Sequence, residues 1–329
     1  LVIDSLNRFL GLTCGFFILQ TFVPSLTPVE DIRIVFSNDR LLALNLCLAF
    51  IMFGIALGIQ PGDFRAIGRH MKGVWTGVAS QFLLLPALTF TLVWAMQPHP
   101  SLALGLLLVA CCPGGNVSNY ISSIGGANTA LSVSLTAIST LLCPVLTPIN
   151  LKWWASLNPE TGALLRQFVI SFGDMLHTVV VLLVLPLIAG IWLNRYAPRI
   201  SEAIRKPVSI VSFLILIGFI GLALVNNWHT FRVHLGLVFL LVLLHNAIAF
   251  AGGFGLASAV HLPKGDRRSV TIETGIQNSG LGLIVIFTFF QGNGGMAIVA
   301  AWWGVWHIIA GLTLAALFRL RDRKAATHT

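Results

Sequence analysis

The chain has 329 residues, 56% of them apolar and only 9% charged, with a mean hydropathy of +0.88. A soluble domain carries about a quarter charged residues, so a soluble enzyme or binding module is excluded. The net charge of +9 invites a nucleic-acid reading, but the basic residues are spread along the chain in a pattern that reports membrane topology instead.

Apolar runs of about 20 residues recur along almost the whole length, as membrane-spanning helices require. Period-two alternation is absent, which argues against an outer-membrane barrel. Ten segments are predicted, at 6–25, 41–59, 72–96, 101–124, 128–151, 168–194, 208–225, 233–260, 267–291 and 295–318. The first lacks a small-residue cleavage site, so no cleavable signal peptide is expected. We assign loops to alternate sides, starting from a cytoplasmic N-terminus. One side then holds Arg8, Arg65, Arg69, Lys72, Arg195, Arg199, Arg205, Lys206, Lys264, Arg267, Arg268, Arg319, Arg321, Arg323 and Lys324. The other holds Arg33, Arg40, Lys152, Arg166 and Arg232. Fifteen against five is a positive-inside bias that puts both termini in the cytoplasm.

Cys14, Cys47, Cys111, Cys112 and Cys143 all fall in apolar segments without metal-ligand spacing. They read as small core residues.

The loop 152–167 divides the ten segments into five plus five, with the first repeat at 1–151 and the second at 168–329. An odd number of spans per half inserts the second half upside down, a common build for secondary transporters. The fourth segment of each half carries a matching anomaly. In the first half it is Cys112-Pro113-Gly114-Gly115-Asn116-Val117-Ser118-Asn119, and in the second Glu273-Thr274-Gly275-Ile276-Gln277-Asn278-Ser279-Gly280. Each passes from apolar helix through glycine into amides and hydroxyls. Taken singly, these are a proline kink and a tolerated glycine; together they predict two broken helices.

Glu273 stands out within the second run. A carboxylate at membrane depth costs roughly 2.5–3.5 kcal/mol on insertion scales unless something pairs with it. No Lys or Arg lies nearby in the segment, so a metal cation is the expected partner. Gln81 in the third segment and His245-Asn246 in the eighth are further buried polar groups, read either as site residues or as packing glue between helices.

The run CCPGGNVSN, the stretch from Asn128 through Ser132 to Thr136, the run ETGIQNSG and Val305-Trp306-His307 together resemble the bile acid:sodium symporter family. The likeness extends from Phe53-Gly54 to Gly311. It implies a bacterial inner-membrane, all-α polytopic transporter of ten transmembrane helices, a 5+5 inverted repeat whose two broken helices cross. It further implies a core domain from segments 3–5 and 8–10 and a panel domain from segments 1, 2, 6 and 7. Two sodium ions would flank the crossing. The first would be held by Ser118, Asn119, Ser132, Thr136 and Glu273. The second would be held by Gln81, Glu273 and Gln277 with the backbone carbonyls of Thr274 and Ile276. Asn116, Asn278 and His307 would lie beside the crossing, where a carboxylate-bearing substrate sits.

The chemistry of these residues agrees with the resemblance. Ser132 and Thr136 share one helix face, as do Glu273 and Gln277. Mid-helix Ser and Thr also bond back to the preceding turn, the plainer use of such a pair. Carboxylate, amide, hydroxyl and carbonyl oxygens suit a hard cation, and a single carboxylate suits a monovalent one. The sequence departs from the commoner family pattern in having Asn116 where Thr is frequent and Ile308 where Asn is frequent. Trp302 and Trp303 are also bulky, so the substrate is expected to differ from that of better-known relatives. Asp174 with His177 reads as an interfacial pair, or as a proton-linked site.

No paired intramembrane Asp, His-Glu-x-x-His or Gly-x-Ser-x-Gly motif is present, so an intramembrane hydrolase is not expected. The expected function is sodium-coupled import of a small organic anion by alternating access, with no enzyme activity and with a monomer sufficient for the cycle. The alternative is a proton-coupled or uncoupled anion transporter or channel. Bile acids, steroid sulfates, pantoate-like hydroxy acids and 2-keto acids all fit the resemblance.

Overall fold

A computed structural model of the chain describes residues 70–168, 172–226 and 228–326, with scattered positions from 46 to 68. The predicted segment 6–25 and Cys14 lie outside the described residues, and the helical positions within 46–57 fall in the predicted segment 41–59.

Met71–Ala79 (α1), a π-helical turn at Ser80–Leu84 and Leu85–Met96 (α2) form one continuous rod of 26 residues. The π turn has a local cause. Pro86 has no N–H to offer the carbonyl of Phe82, and its ring would crowd that group in a regular helix. One extra residue in the preceding turn relieves the crowding and swings Gln81 inward.

Pro100–Cys111 (α3) stops where the chain must. Cys112 precedes proline and takes extended angles, φ −72° and ψ 158°. Val117–Ile124 (α4) then resumes, and Thr129–Leu157 (α5) follows, its first turn capped by Asn128 Oδ1 accepting from Leu131 N–H at 3.2 Å. Segment 128–151 thus reaches further than expected. The stretch 152–167, expected as a loop, is the end of α5 followed by the helix Pro159–Gln167 (α6). Its start signal is complete. Asn158 Oδ1 accepts from Glu160 N–H at 2.9 Å, Pro159 opens the first turn, Glu160 sits at the positive end and Arg166 at the negative end.

Phe172–Tyr196 (α7) and Pro198–Asn226 (α8) occupy the sixth and seventh predicted segments, and Trp228–Ala259 (α9) the eighth. The ninth is split into Lys264–Gly275 (α10) and Ser279–Phe289 (α11), and the tenth is Gly294–Ala326 (α12). Both predicted interruptions are present, but each is narrower than its motif: Ser118 and Asn119 already belong to α4, and Glu273 still belongs to α10. Among the described residues no strand forms.

Among the described residues, four helical stretches are long and apolar enough to cross a membrane: Met71–Met96, Thr129–Leu157, Gly236–Ala259 and Gly294–Lys324. Pro100–Cys111 and Ser279–Phe289 are apolar but shorter. The core gathers where α3, α11 and α12 pack with the middle of α9, around Leu104, Leu107, Ile286, Phe290 and Trp303. Cys111, Cys112 and Cys143 are buried there as free thiols. α9 lies along α10, and Arg268 ties α10 to α12. Its guanidinium, 6% exposed, binds both carboxylate oxygens of Asp322 at 2.7 Å and the Phe318 carbonyl at 3.2 Å.

The break after α3 leaves the Cys111 carbonyl without a helical donor, and Thr147 Oγ1 supplies one at 2.6 Å from a neighbouring helix. Thr147→Val keeps the shape and removes the donor. It is expected to cost about 1 kcal/mol, seen as a lower melting temperature in detergent, whereas Thr147→Ser stays close to wild type.

Candidate functional site

The two unwound stretches meet. Residues 112–116 separate α3 from α4, residues 276–278 separate α10 from α11, and Gly114 pairs with Gln277 as an isolated antiparallel bridge. Gly115 N–H donates to the Ile276 carbonyl and Asn278 N–H to the Pro113 carbonyl, both at 2.8 Å. Each break satisfies backbone groups that the other leaves open, the condition for unwound chain at this depth. Gly114 is required by proximity. A Cβ there would stand 2.6 Å from Gln81 Nε2 and would also collide with Glu273 Oε1.

Glu273 sits in the last turn of α10 with 0% exposure. Among the described residues it makes no ion pair with Lys, Arg or His. Its side-chain partners are three hydroxyls and the Gln81 amide. Ser118 donates to Oε2 at 2.5 Å, Ser132 to Oε2 at 3.1 Å and Thr136 to Oε1 at 2.6 Å. Asn119 Oδ1 competes for the same protons, lying 2.9 Å from Ser132 Oγ and 3.2 Å from Thr136 Oγ1. Three hydroxyl protons do not fill all these contacts at once. The pocket is therefore richer in lone pairs than in protons, a donor set of the kind that suits a hard cation. The structure thus brings together Ser118, Asn119, Ser132, Thr136 and Glu273.

Gln81 and Gln277 converge on the other side of the same turn. Gln81 Nε2 donates to the Glu273 carbonyl at 3.2 Å and Gln277 Nε2 to the Thr274 carbonyl at 2.8 Å. Both amide oxygens are buried without a hydrogen-bond partner. The Ile276 carbonyl takes the Gly115 N–H and keeps a second lone pair. Among the described residues no three His, Cys, Asp or Glu side chains cluster, so the donor set is oxygen with a single carboxylate.

The expected substrate residues are placed less tightly. Asn116 stands exposed at the start of α4 and makes no capping bond with its side chain. Asn278 starts α11, where its Oδ1 accepts from Leu281 N–H at 3.0 Å, and its backbone lies in the crossing. His307 is 4% exposed, and its Nδ1 has no partner. It lies one helical turn before Gly311, where a Cβ would meet Ile276 at 2.7 Å and Ile121 at 2.9 Å, so its helix face is turned to the crossing. Trp303, fully buried, lies edge-on to His307 with 6.4 Å between centroids. No contact joins His307 to Asn116 or Asn278 among those described.

His245 packs between helices: Nε2 meets Thr89 Oγ1 at 2.6 Å, the ring lies 4.6 Å from Trp303, and Nδ1 is buried without a partner. Asn246 points elsewhere, with Nδ2 donating to the Gly275 carbonyl at 2.8 Å. The side chains of Asp174 and His177 lie outside the described residues. Sequence reasoning passed over Ser122, which donates to Ser132 Oγ at 3.1 Å. Its signal was available, since Ser118 and Ser122 are four apart on one helix face.

A profile of the sodium bile acid symporter family matches residues 45–232, more than half of the chain. The chain is 30% identical over 282 residues to the uncharacterized sodium-dependent transporter YocS of Bacillus subtilis, covering 85% of this chain and 84% of that protein. It is 31% identical over 279 residues to the probable chloroplastic sodium/metabolite cotransporter BASS2 of Oryza sativa, covering 84% of this chain and 64% of the plant protein. It is 30% identical over 264 residues to sodium/bile acid cotransporter 4 of Homo sapiens, covering 79% of this chain and 58% of the human protein. The chain therefore spans less than two thirds of the length of these last two relatives.

The crossing leaves no room for a methyl group at Gly114. Gly114→Ala is expected to destabilise the protein by about 1–3 kcal/mol through overpacking against the held carboxylate. The drop in melting temperature measured in detergent checks this.

Proposed function

The chain belongs to the sodium bile acid symporter family, and we propose that it is a sodium-coupled symporter that imports a small organic anion by alternating access. The family is one of membrane transporters rather than enzymes, and no covalent chemistry is assigned to any residue. The observation that carries the coupling reading is the buried Glu273 carboxylate, whose side-chain partners are hydroxyls and an amide, not cations.

We assign two sodium ions to this carboxylate. One is held by Ser118, Asn119, Ser132, Thr136 and Glu273. The other is held by Gln81, Glu273 and Gln277 with the carbonyls of Thr274 and Ile276. The donor chemistry supports sodium, since hard oxygen ligands with one shared negative charge suit a monovalent ion. The ligands come from α4, α5, α10 and the π turn, so binding fastens elements that the breaks would otherwise leave free to shift. Sodium thereby orders the crossing and completes the substrate pocket beside it.

The anion is received at the crossing itself. α4 and α11 both begin there, and helix N-termini carry partial positive charge that attracts an anion without Lys or Arg. Asn116 is exposed and uncommitted at one of these ends, Asn278 flanks the other, and His307 approaches with an open Nδ1. Around this site we read ten spans as two inverted repeats of five, 1–151 and 168–329, with a core of segments 3–5 and 8–10 rocking against a panel of segments 1, 2, 6 and 7. The positive-inside bias supports an inner-membrane protein with both termini cytoplasmic. A single subunit suffices for the cycle.

The test compares purified protein heated in NaCl and in choline chloride. Sodium at a hundredfold above its Kd stabilises a single site by about 2.7 kcal/mol. A clear rise in melting temperature is therefore expected in NaCl, with most of it lost in Glu273→Ala and Gln277→Ala. In proteoliposomes an inward sodium gradient is expected to drive saturable uptake of the anion, and Glu273→Ala to abolish it. Identical melting of the wild type in both salts overturns the proposal.

A further inference from the structure

α10 ends on three consecutive carbonyls, those of Glu273, Thr274 and Gly275. In a continuing helix these would receive the N–H groups of the next turn. Here that turn is absent. The Asn278 N–H goes to Pro113 and the Ser279 N–H to the Gln277 carbonyl. Three side-chain amides take over instead, one per carbonyl. Gln81 serves Glu273 at 3.2 Å, Gln277 serves Thr274 at 2.8 Å and Asn246 serves Gly275 at 2.8 Å. They arrive from three different places: the π turn, the break itself and the middle of α9.

All three amides have spent a donor on the backbone and kept an oxygen with nothing to accept from. Oε1 of Gln81, Oε1 of Gln277 and Oδ1 of Asn246 are buried and unpartnered, on side chains with relative exposures of 0%, 1% and 1%. One orphaned amide oxygen is unusual in a folded interior. Three around a single half-turn, at the negative end of a helix and next to an uncompensated carboxylate, call for one shared positive partner. Gln81 and Gln277 were already assigned to the second sodium ion. The sequence leaves Asn246 open between a site residue and packing glue, and its oxygen stands in the same condition as theirs.

We infer that Asn246 is a third amide ligand of the cation at this break, its Oδ1 facing the ion while its Nδ2 holds the Gly275 carbonyl. The inference rests on the sodium reading and extends it to α9. Coordination through Asn246 would join α9 to α10 and to the π turn through the ion, so loading this site would brace three elements rather than two.

The experiment separates a ligand from a cap. Asn246→Leu removes both the donor and the oxygen, whereas Asn246→Asp removes the donor and keeps an oxygen. Each variant, with the wild type and Gln277→Ala, is titrated with NaCl at constant ionic strength in choline chloride, reading melting temperature. We expect the wild type to saturate, and both Asn246→Leu and Gln277→Ala to need at least tenfold more sodium for half the effect. We expect Asn246→Asp to start from a lower melting temperature but to respond at wild-type sodium concentrations or below, because its added charge strengthens the hold on the ion. Half-saturation of Asn246→Leu at the wild-type sodium concentration overturns the inference and leaves the sodium reading standing. A tenfold loss in Asn246→Asp overturns it too, since Asn246 would then act only as a cap, and this arm decides the matter if the leucine variant does not fold. A wild type that ignores sodium overturns the reading and the inference together.

Discussion

Two short stretches of unwound backbone, each unsatisfied alone, share a pair of hydrogen bonds at the centre of this protein. Gly115 N–H reaches the Ile276 carbonyl, and Asn278 N–H reaches that of Pro113. A helix that breaks inside an apolar environment exposes donors and acceptors that lipid does not satisfy. The break in one helix is therefore tolerated because the break in the other is laid across it. Almost everything of functional interest follows from that contact. It sets Gly114 against the Glu273 carboxylate, brings the starts of α4 and α11 to one place, and ends α10 on carbonyls that side chains must cap.

The residues around the crossing answer a shortage of protons. Cys111, stranded at the end of α3, is served by Thr147, and the last carbonyls of α10 by Gln81, Gln277 and Asn246. Backbone acceptors are satisfied at the expense of side-chain oxygens, and the remaining deficit collects around Glu273. A polar interior normally closes its hydrogen bonds. This one leaves the amide oxygens of Gln81, Gln277 and Asn246 open beside a buried carboxylate. That is the property a coupling site needs: an unloaded state that is assembled but electrostatically incomplete, and a loaded state in which several helices are drawn onto one ion. The same logic separates the two ligands of the proposed cycle. The cation is met by oxygens at the end of α10, and the anion by the partial positive ends of α4 and α11.

Much of this was legible in the chain because its signals are local. Apolar runs of spanning length, the proline and glycines of the two motifs, and an acid without a basic neighbour are all readable without a structure. The helix Pro159–Gln167 is legible too, from Asn158, Pro159 and Glu160, although it lies in a polar stretch between the two halves. The π turn at Ser80–Leu84 has a single local sign in the sequence, Pro86. Spacing predicted that Ser132 and Thr136 share a face, but spacing alone does not separate a ligand pair from two hydroxyls bonding back to their own helix. Thr136 in fact lies near both Glu273 and the Ser132 carbonyl.

By itself the sequence determined the helical membrane class, the positions of the two interruptions and the presence of one uncompensated carboxylate, since each depends on residues close together in the chain. Tertiary structure decided which atoms share a site. The bridge from Gly114 to Gln277 spans about half of the chain, and whether a buried amide is glue or has an oxygen to spare depends on which backbone carbonyl meets its nitrogen. His245 and Asn246 are neighbours in sequence, yet one sets its Nε2 on Thr89 and leaves Nδ1 unpartnered, while the other spends its nitrogen on the Gly275 carbonyl and leaves an oxygen open beside the end of α10. Adjacent residues on a helix point about 100° apart, so adjacency in the chain says nothing of a shared environment.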